Sequence, residues 1–534
     1  MPTGCVCVTP VAVAPYDSDD EALEAYEREV ASRTSAWEPE SSEAMPKPAA
    51  ADSERTRAVD AYGFELQLTP EGARARARCA ASAERRAPRW RVYRDDETDA
   101  AMRDARGRRL AKKSSVDANL TRLIRKGVPR DFRRRAWMSV SGAASRRAAA
   151  PEGHYARVLR DAENALLEKD DEKRGARRSA SGPDPTDVPP SVGSWLRPFA
   201  AQIDLDIPRT FPENPRYHGG ASGGGGRAAV RNVLLAYAAE HPQTGYCQGM
   251  NYVAAFLWLA AGVAETAPEA AVSDDAGGSL REDEQKNANT RGHVVAPRRG
   301  SETRVTSQTE TPSTEETTYW LFACLVDDVL APEIFARDIR GTLREFRVLS
   351  LLLRSRAPRT HAHLEKHDMD LCMLQSKWLL CVFTESFPAE TAARVLDVLF
   401  AEGHKAWLRT CVAAVAMHGD AIRRCAHAPD AAACLRRAFA EQHDADVLLK
   451  VAHSYRKVGA FPREVVARHR RAAVAQLARE AKAAAAARDA RRDARARERS
   501  ALAAADDGEE EAPSGASVGE GKKKKKNDKN DKKR

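Results

Sequence analysis

Four short stretches carry residues whose types and spacing can do chemistry. In Ile203-Asp204-Leu205-Asp206-Ile207-Pro208-Arg209-Thr210-Phe211-Pro212 an arginine sits at a stiff turn set by two prolines. Asp206, three residues earlier, is placed to orient it. In Gly245-Tyr246-Cys247-Gln248-Gly249-Met250-Asn251 glycines lie on both sides of a glutamine. They let the backbone bend tightly and project the Gln248 amide. On composition alone, each segment also reads as ordinary turn chemistry. Residues 219–226 (GGASGGGG) suggest a phosphate cradle. A P-loop needs Lys and Ser/Thr after its last glycine, whereas Arg227-Ala228 follow here and no strand precedes, so a flexible connector is the simpler reading. His361, His363 and His367 in HAHLEKH have the donor type for a metal, but no recognisable zinc pattern is completed around them. GxSxG, HExxH and kinase motifs are absent, so no self-contained catalytic centre of a common type is expected.

The elements that must hold these residues read as helices. Val230, Val233, Leu234 and Tyr237 follow i, i+3, i+4, i+7 spacing, and so do Met250, Val253, Ala254 and Leu257. Leu371, Leu374, Trp378, Cys381 and Val382 form one further apolar face, and Val447, Leu448, Val451 and Tyr455 another. Few stretches alternate like strands, so the expected fold class is all-α. Residues 1–58 are acidic and aperiodic, and are expected to be disordered. Residues 59–116 form a basic extension with scattered apolar groups, suited to docking. Ordered structure is expected from about Asp117, in a domain spanning 117–460. Two polar stretches, 170–190 and 265–315, read as disordered insertions into it. Residues 461–505 are Ala/Arg-rich and suit a solvated helix without a coiled-coil seam. Residues 506–534 form a disordered polybasic tail.

The 534-residue chain has a formal charge of +9, which at face value suggests nucleic acid or a membrane surface. The charge is unevenly spread. Residues 1–60 net −8, 61–150 net +13, 151–462 net −4 and 463–534 net +8. The block with most of the apolar periodicity is thus mildly acidic, and no specific nucleic-acid partner is expected. The longest nearly uninterrupted apolar run, Tyr252 to Ala264, is too short to span a bilayer. Met1-Pro2 opens neither a signal peptide nor a myristoylation site. Ten cysteines without a CxxC pair suit reduced thiols in a cytoplasmic protein.

Taken together and at this separation, the two loop segments resemble the TBC family of Rab GTPase-activating proteins. IDLDIPRT matches the family's IxxDxxRT, and YCQ matches its YxQ. Arg125-Lys126-Gly127-Val128-Pro129, then Arg133 and Trp137, resemble the opening of the TBC domain. Residues 376–403 resemble its later helices, with Leu396-Asp397 where many members have Trp-Asp. VDAYGFE (59–65) and RKGVPRDFRRRAWMSVSGA (125–143) are most similar to the growth-hormone-regulated subgroup.

The resemblance implies a TBC-domain helical fold and a role as activator of a Rab-family GTPase in its GTP form. The chain would not be an enzyme in its own right. Arg209 would be an arginine finger and Gln248 a glutamine finger. Asp206 would hold the finger loop, Tyr246 and Gly249 would fix the conformation around Gln248, and Ile203 and Thr210 would complete the motif. Gly127, Pro129, Arg133 and Trp137 would be structural. No cofactor or metal of its own is implied, since GTP and Mg²⁺ arrive with the partner. The resemblance further implies work in vesicle trafficking, in the cytoplasm or at the periphery of endomembranes. Lys522 to Lys526 would draw the tail to anionic lipid at about 1 kcal/mol per side chain, although solubilisation or nuclear targeting fits the same run. A TBC-fold scaffold that binds a Rab without activating it is the alternative, and loss of Arg209 or Gln248 would have favoured it.

Overall fold

A computed structural model describes residues 55–90, 115–167, 192–218, 225–262, 312–369 and 372–506. The expected disordered regions lie almost wholly outside these residues, as do Leu371 and most of the glycine run. The chain forms two units, Met1–Arg470 and Arg471–Arg534.

The first unit opens on an antiparallel hairpin, β1 (Thr56–Val59) and β2 (Glu65–Leu68), followed by α1 (Pro70–Trp90). Next come α2 (Ser115–Lys126), α3 (Arg130–Ser141), α4 (Ala143–Ala149) and α5 (His154–Leu167). The two loop segments are carried by α6 (Val192–Asp206), α7 (Gly225–Glu240) and α8 (Met250–Gly262). Then follow α9 (Thr314–Cys324), α10 (Arg340–Arg356), α11 (Pro358–Lys366) and α12 (Cys372–Leu380). The unit closes with α13 (Ala389–Glu402), α14 (Lys405–Met417), α15 (Gly419–Arg423), α16 (Ala428–Ala440) and α17 (Ala445–Ala452). It also includes the start of α18 (Arg463–Asp506). The second unit continues α18, whose residues 481–500 are exposed throughout.

The fold is all-α apart from the short hairpin. In the first half α7 packs on α5, α6, α8 and α9. In the second, α13 packs on α14 and α17; α2 also packs on α13, and α3 joins the halves by packing on α8 and α9 as well as on α13. Helix α8 explains itself: it is apolar nearly all round, and all of Met250–Ala261 except Tyr252 and Trp258 is buried. The α7 face Val230, Val233, Leu234 and Tyr237 is also fully enclosed.

Two expected faces shift. Helix α12 ends at Leu380, and the chain then turns through Val382 (φ 47°) and Phe383 (φ 62°), so Cys381 and Val382 are buried by a turn rather than a helix. On α17 the buried side is Leu448, Leu449, Val451 and Ala452, while Val447 is 44% exposed; Tyr455, 54% exposed, lies in a turn beyond the helix end at Ala452. The expected face was tilted toward the wrong edge because both flanks of this helix are apolar.

A larger correction concerns where order begins. The hairpin and α1 pack on the helical body well before Asp117. Tyr62 and Trp90 are each 1% exposed, and the Trp90 indole donates to the Gly127 carbonyl at 2.9 Å. Two four-residue strands and a few isolated aromatics are too sparse to signal packing in an Arg/Ala-rich segment. Its basic charge is also partly answered in space. Arg55, Arg78 and Arg86 pair with Glu441, Asp444 and Asp446.

The opening-motif residues meet at one buried carboxylate. Asp397 of α13 accepts from Arg133 Nε (3.1 Å), Trp137 Nε1 (2.8 Å) and the Val128 amide (3.1 Å). Arg133 also reaches Glu390 and the Tyr62 hydroxyl. Pro129 stands just before α3, where its missing N–H costs no helix bond. Leu396, beside Asp397, is fully buried in the core.

Candidate functional site

The Arg209 loop begins where α6 stops. Pro208 offers no N–H, so the ladder closes in a tight 3₁₀ turn, Ile207–Arg209, with the Thr210 amide on the Ile207 carbonyl at 3.2 Å. The chain then extends through Thr210 and reverses at Phe211, whose φ is 41°. Ile203, 1% exposed, anchors the last turns of α6. Arg209 itself is 53% exposed and pairs with Asp206, whose side chain is fully buried.

The Gln248 loop lies between α7 and α8. Gly245 (φ 61°) and Gly249 (φ 111°) sit in backbone regions that favour glycine. Space demands it too. A Cβ on Gly245 would lie 2.2 Å from the Phe199 ring, and one on Gly249 would lie 2.9 Å from the Leu380 carbonyl oxygen. Between them Tyr246 turns inward and Gln248 stays exposed.

Two buried links lock the loops together. The Tyr246 hydroxyl donates to Asp206 Oδ2 at 2.6 Å, while Gln202 donates to Oδ1 at 3.2 Å. The Asn251 amide donates to Thr210 Oγ1 at 2.8 Å, and its oxygen accepts the Gly249 N–H at 3.0 Å. Thr210 in turn donates to the Asp206 carbonyl at 2.8 Å. Tyr252, one turn into α8, donates to the Arg209 carbonyl at 3.3 Å. Arg209 and Gln248 are therefore exposed side chains on two loops that share one buried hydrogen-bond frame.

Burial, reinforced by the Asp206 carboxylate, pushes the Tyr246 phenol far above its usual range, so it remains a donor. Burial pushes the Cys247 thiol up to about 11, which makes it a poor nucleophile at neutral pH. The frame can thus present a guanidinium and a carboxamide rigidly, and it offers no nucleophile of its own.

The histidine stretch is elsewhere and locally satisfied. His361 faces Ser350 and Glu365, and His363 meets the Cys425 carbonyl at 2.8 Å. Among the described residues no group of three or more His, Cys, Asp or Glu side chains could hold a metal, and no helix is long and apolar enough to cross a membrane.

The family model of the Rab-GTPase-TBC domain matches residues 130–422, more than half of the chain and both loops. This chain belongs to the Rab-GTPase-TBC domain family. Among its relatives is human growth hormone-regulated TBC protein 1, 26% identical over 309 residues, which cover 58% of this chain and 66% of the relative. The Danio rerio protein 1-A is 26% identical over 389 residues, covering 71% and 79%. Among solved structures, the Chlamydomonas flagellar RabGAP TBC domain superposes with a TM-score of 0.51 at 26% identity. It covers 74% of this chain and all of that domain. The TBC domain match begins at residue 130, so the hairpin, α1 and α2 lie ahead of it.

The fold places the sequence-predicted Arg209, Asp206, Thr210, Tyr246, Gln248 and Gly249 on the two loops joined by this frame. The sequence alone gives Asn251 no role, although an asparagine entering an apolar helix is a signal that it bonds to something. Gln202, Tyr252 and Phe211 carried no readable signal, because their partners are set by tertiary contacts.

Proposed function

We propose that this chain is a GTPase-activating protein that inserts Arg209 and Gln248 into the nucleotide site of a GTP-bound Rab-family GTPase. The observation that carries the reading is the shared frame: two exposed side chains of suitable chemistry on loops joined by the Asp206–Tyr246 and Thr210–Asn251 hydrogen bonds. Family membership supports it.

GTP hydrolysis passes through a loose transition state that loads charge onto the phosphate oxygens and needs water aligned in line. The planar Arg209 guanidinium answers that charge by exchanging its Asp206 contact for phosphate oxygens. A finger of this kind is worth about 4–7 kcal/mol of barrier. Gln248 orients the attacking water through its amide. GTP and Mg²⁺ come with the GTPase. Asp206, Tyr246, Asn251 and Thr210 keep the two loops from moving as the fingers engage, so little ordering remains to be done at the transition state.

Single-turnover GTP hydrolysis across a panel of Rab proteins tests this, with wild type, Arg209→Ala and Gln248→Ala. Wild type should accelerate at least one Rab, and each substitution should cost about 100-fold or more, roughly 3 kcal/mol. No responding Rab, or full activity in Arg209→Ala, refutes the reading. The tail from 515 to 534 lies outside the described residues. Its proposed attraction to anionic lipid predicts weaker co-sedimentation with anionic liposomes once it is removed.

A further inference from the structure

We infer that the N-terminal hairpin, which precedes the matched TBC domain, positions the arginine loop, and that Phe64 is its positioning residue. This rests on the reading of Arg209 given above. The Phe64 ring packs edge-on against Phe211 at 5.0 Å and 84°. Phe211 packs edge-on against Tyr252 at 5.3 Å and 75°, and Tyr252 holds the Arg209 carbonyl. Phe211 is thus wedged between the hairpin and α8, two residues past Arg209, at a left-handed backbone position that a non-glycine residue holds only when its surroundings impose it. A second strut runs in parallel. The Tyr62 carbonyl accepts the Asn214 side-chain amide at 3.1 Å, and Asn214 caps the chain beyond the loop through the Arg216 and Tyr217 amides.

The hairpin is itself stiff enough to serve as an abutment. The Asp60 carboxylate accepts the Tyr62 and Phe64 amides at 2.9 and 3.0 Å, closing the turn. Tyr62 stacks on Phe256 of α8 at 5.8 Å and donates to Glu390 at 2.8 Å. The arginine loop is therefore held from three sides: by α6 through Asp206, by α8 through Asn251 and Tyr252, and by the hairpin.

The test uses the full chain as wild type, Phe64→Ala and Phe64→Leu, each with and without Arg209→Ala. Hydrogen exchange is read first. The Thr210 and Asn214 amides, bonded to the Ile207 and Phe211 carbonyls, should exchange about tenfold or more faster in Phe64→Ala, with α13 and α14 unchanged. In single-turnover assays the maximal rate should fall about 10- to 100-fold, with half-maximal GTPase concentration within about twofold of wild type. Phe64→Leu should recover most of the loss. In the Arg209→Ala background Phe64→Ala should cost nothing further, since there is no finger left to misplace. Unchanged exchange at the Thr210 and Asn214 amides, or an equal loss in both backgrounds, overturns the inference. If wild type accelerates no Rab, the functional proposal falls, and the exchange result alone decides whether the hairpin orders the loop.

Discussion

Asn251→Leu is the sharpest perturbation of the loop frame, because one buried side chain bridges both loops. It removes a 2.8 Å bond to Thr210 and a 3.0 Å bond from the Gly249 amide, at a residue 1% exposed. Each bond contributes about 1 kcal/mol net, and stranding the buried Gly249 N–H adds about 1–3 kcal/mol. Leucine has similar volume and recovers some apolar burial, so the expected loss is roughly 2–4 kcal/mol. Urea unfolding followed by tryptophan fluorescence measures it as a lower midpoint with unchanged slope. Thr210→Val completes the cycle. In that background Asn251→Leu should cost about 1 kcal/mol less, since the shared bond is already gone. On the proposed function, the same variant should slow GTP hydrolysis by the stimulated Rab at least about tenfold, because Arg209 and Gln248 lose their common register. A loss of stability under about 0.5 kcal/mol, or strict additivity with Thr210→Val, would show that this bridge does not join the loops.

Other perturbations probe separate parts of the molecule. Gly249→Ala places a Cβ 2.9 Å from the Leu380 carbonyl at φ 111°. It should cost about 1–3 kcal/mol and weaken Rab activation more than Rab binding, read by unfolding and by titration with GTPase. Asp397→Asn removes the charge that Arg133 and Arg394 share in the core. A destabilisation of about 3–5 kcal/mol in urea is expected, with no specific change in the Arg209 and Gln248 loops by hydrogen exchange. His241 follows the last residue of α7 and pairs with Asp327 at 3.1 Å, beside Arg146 and Tyr237. Burial and Arg146 oppose its protonation, but hydrogen bonding and attraction by Asp327 prevail and raise its pKa above 6.5. Its stabilisation is therefore full below that value and is lost as pH rises through the raised pKa. The gap in unfolding free energy between wild type and His241→Asn should narrow from pH 6 to about pH 9, and a constant gap counts against the pairing.

The sequence alone determined what is local. The arginine turn is written in two prolines and an acid three residues before Arg209, and the glutamine turn in its flanking glycines. Helices α7 and α8 were legible because their buried faces repeat at the helical period. The segment from 55 to 90 was not, because strands of four residues and two lone buried aromatics leave no period to count. Val447 misled for a related reason: periodicity shows that a helix is amphipathic, but a helix with apolar flanks does not say which edge its neighbours cover, and Tyr455 fell off the face because the helix stops at Ala452. Only the tertiary structure decided how distant residues act together. Arg133, Trp137 and Val128 converge on Asp397 across more than 250 residues of chain. Asp206 and Thr210 find Tyr246 and Asn251 some 40 residues on. Phe64 reaches Phe211 from ahead of the family domain. Side-chain types and spacing fix what a residue can do within a turn or two. Which buried donor meets which acceptor depends on how helices pack, and packing is settled by the whole core at once.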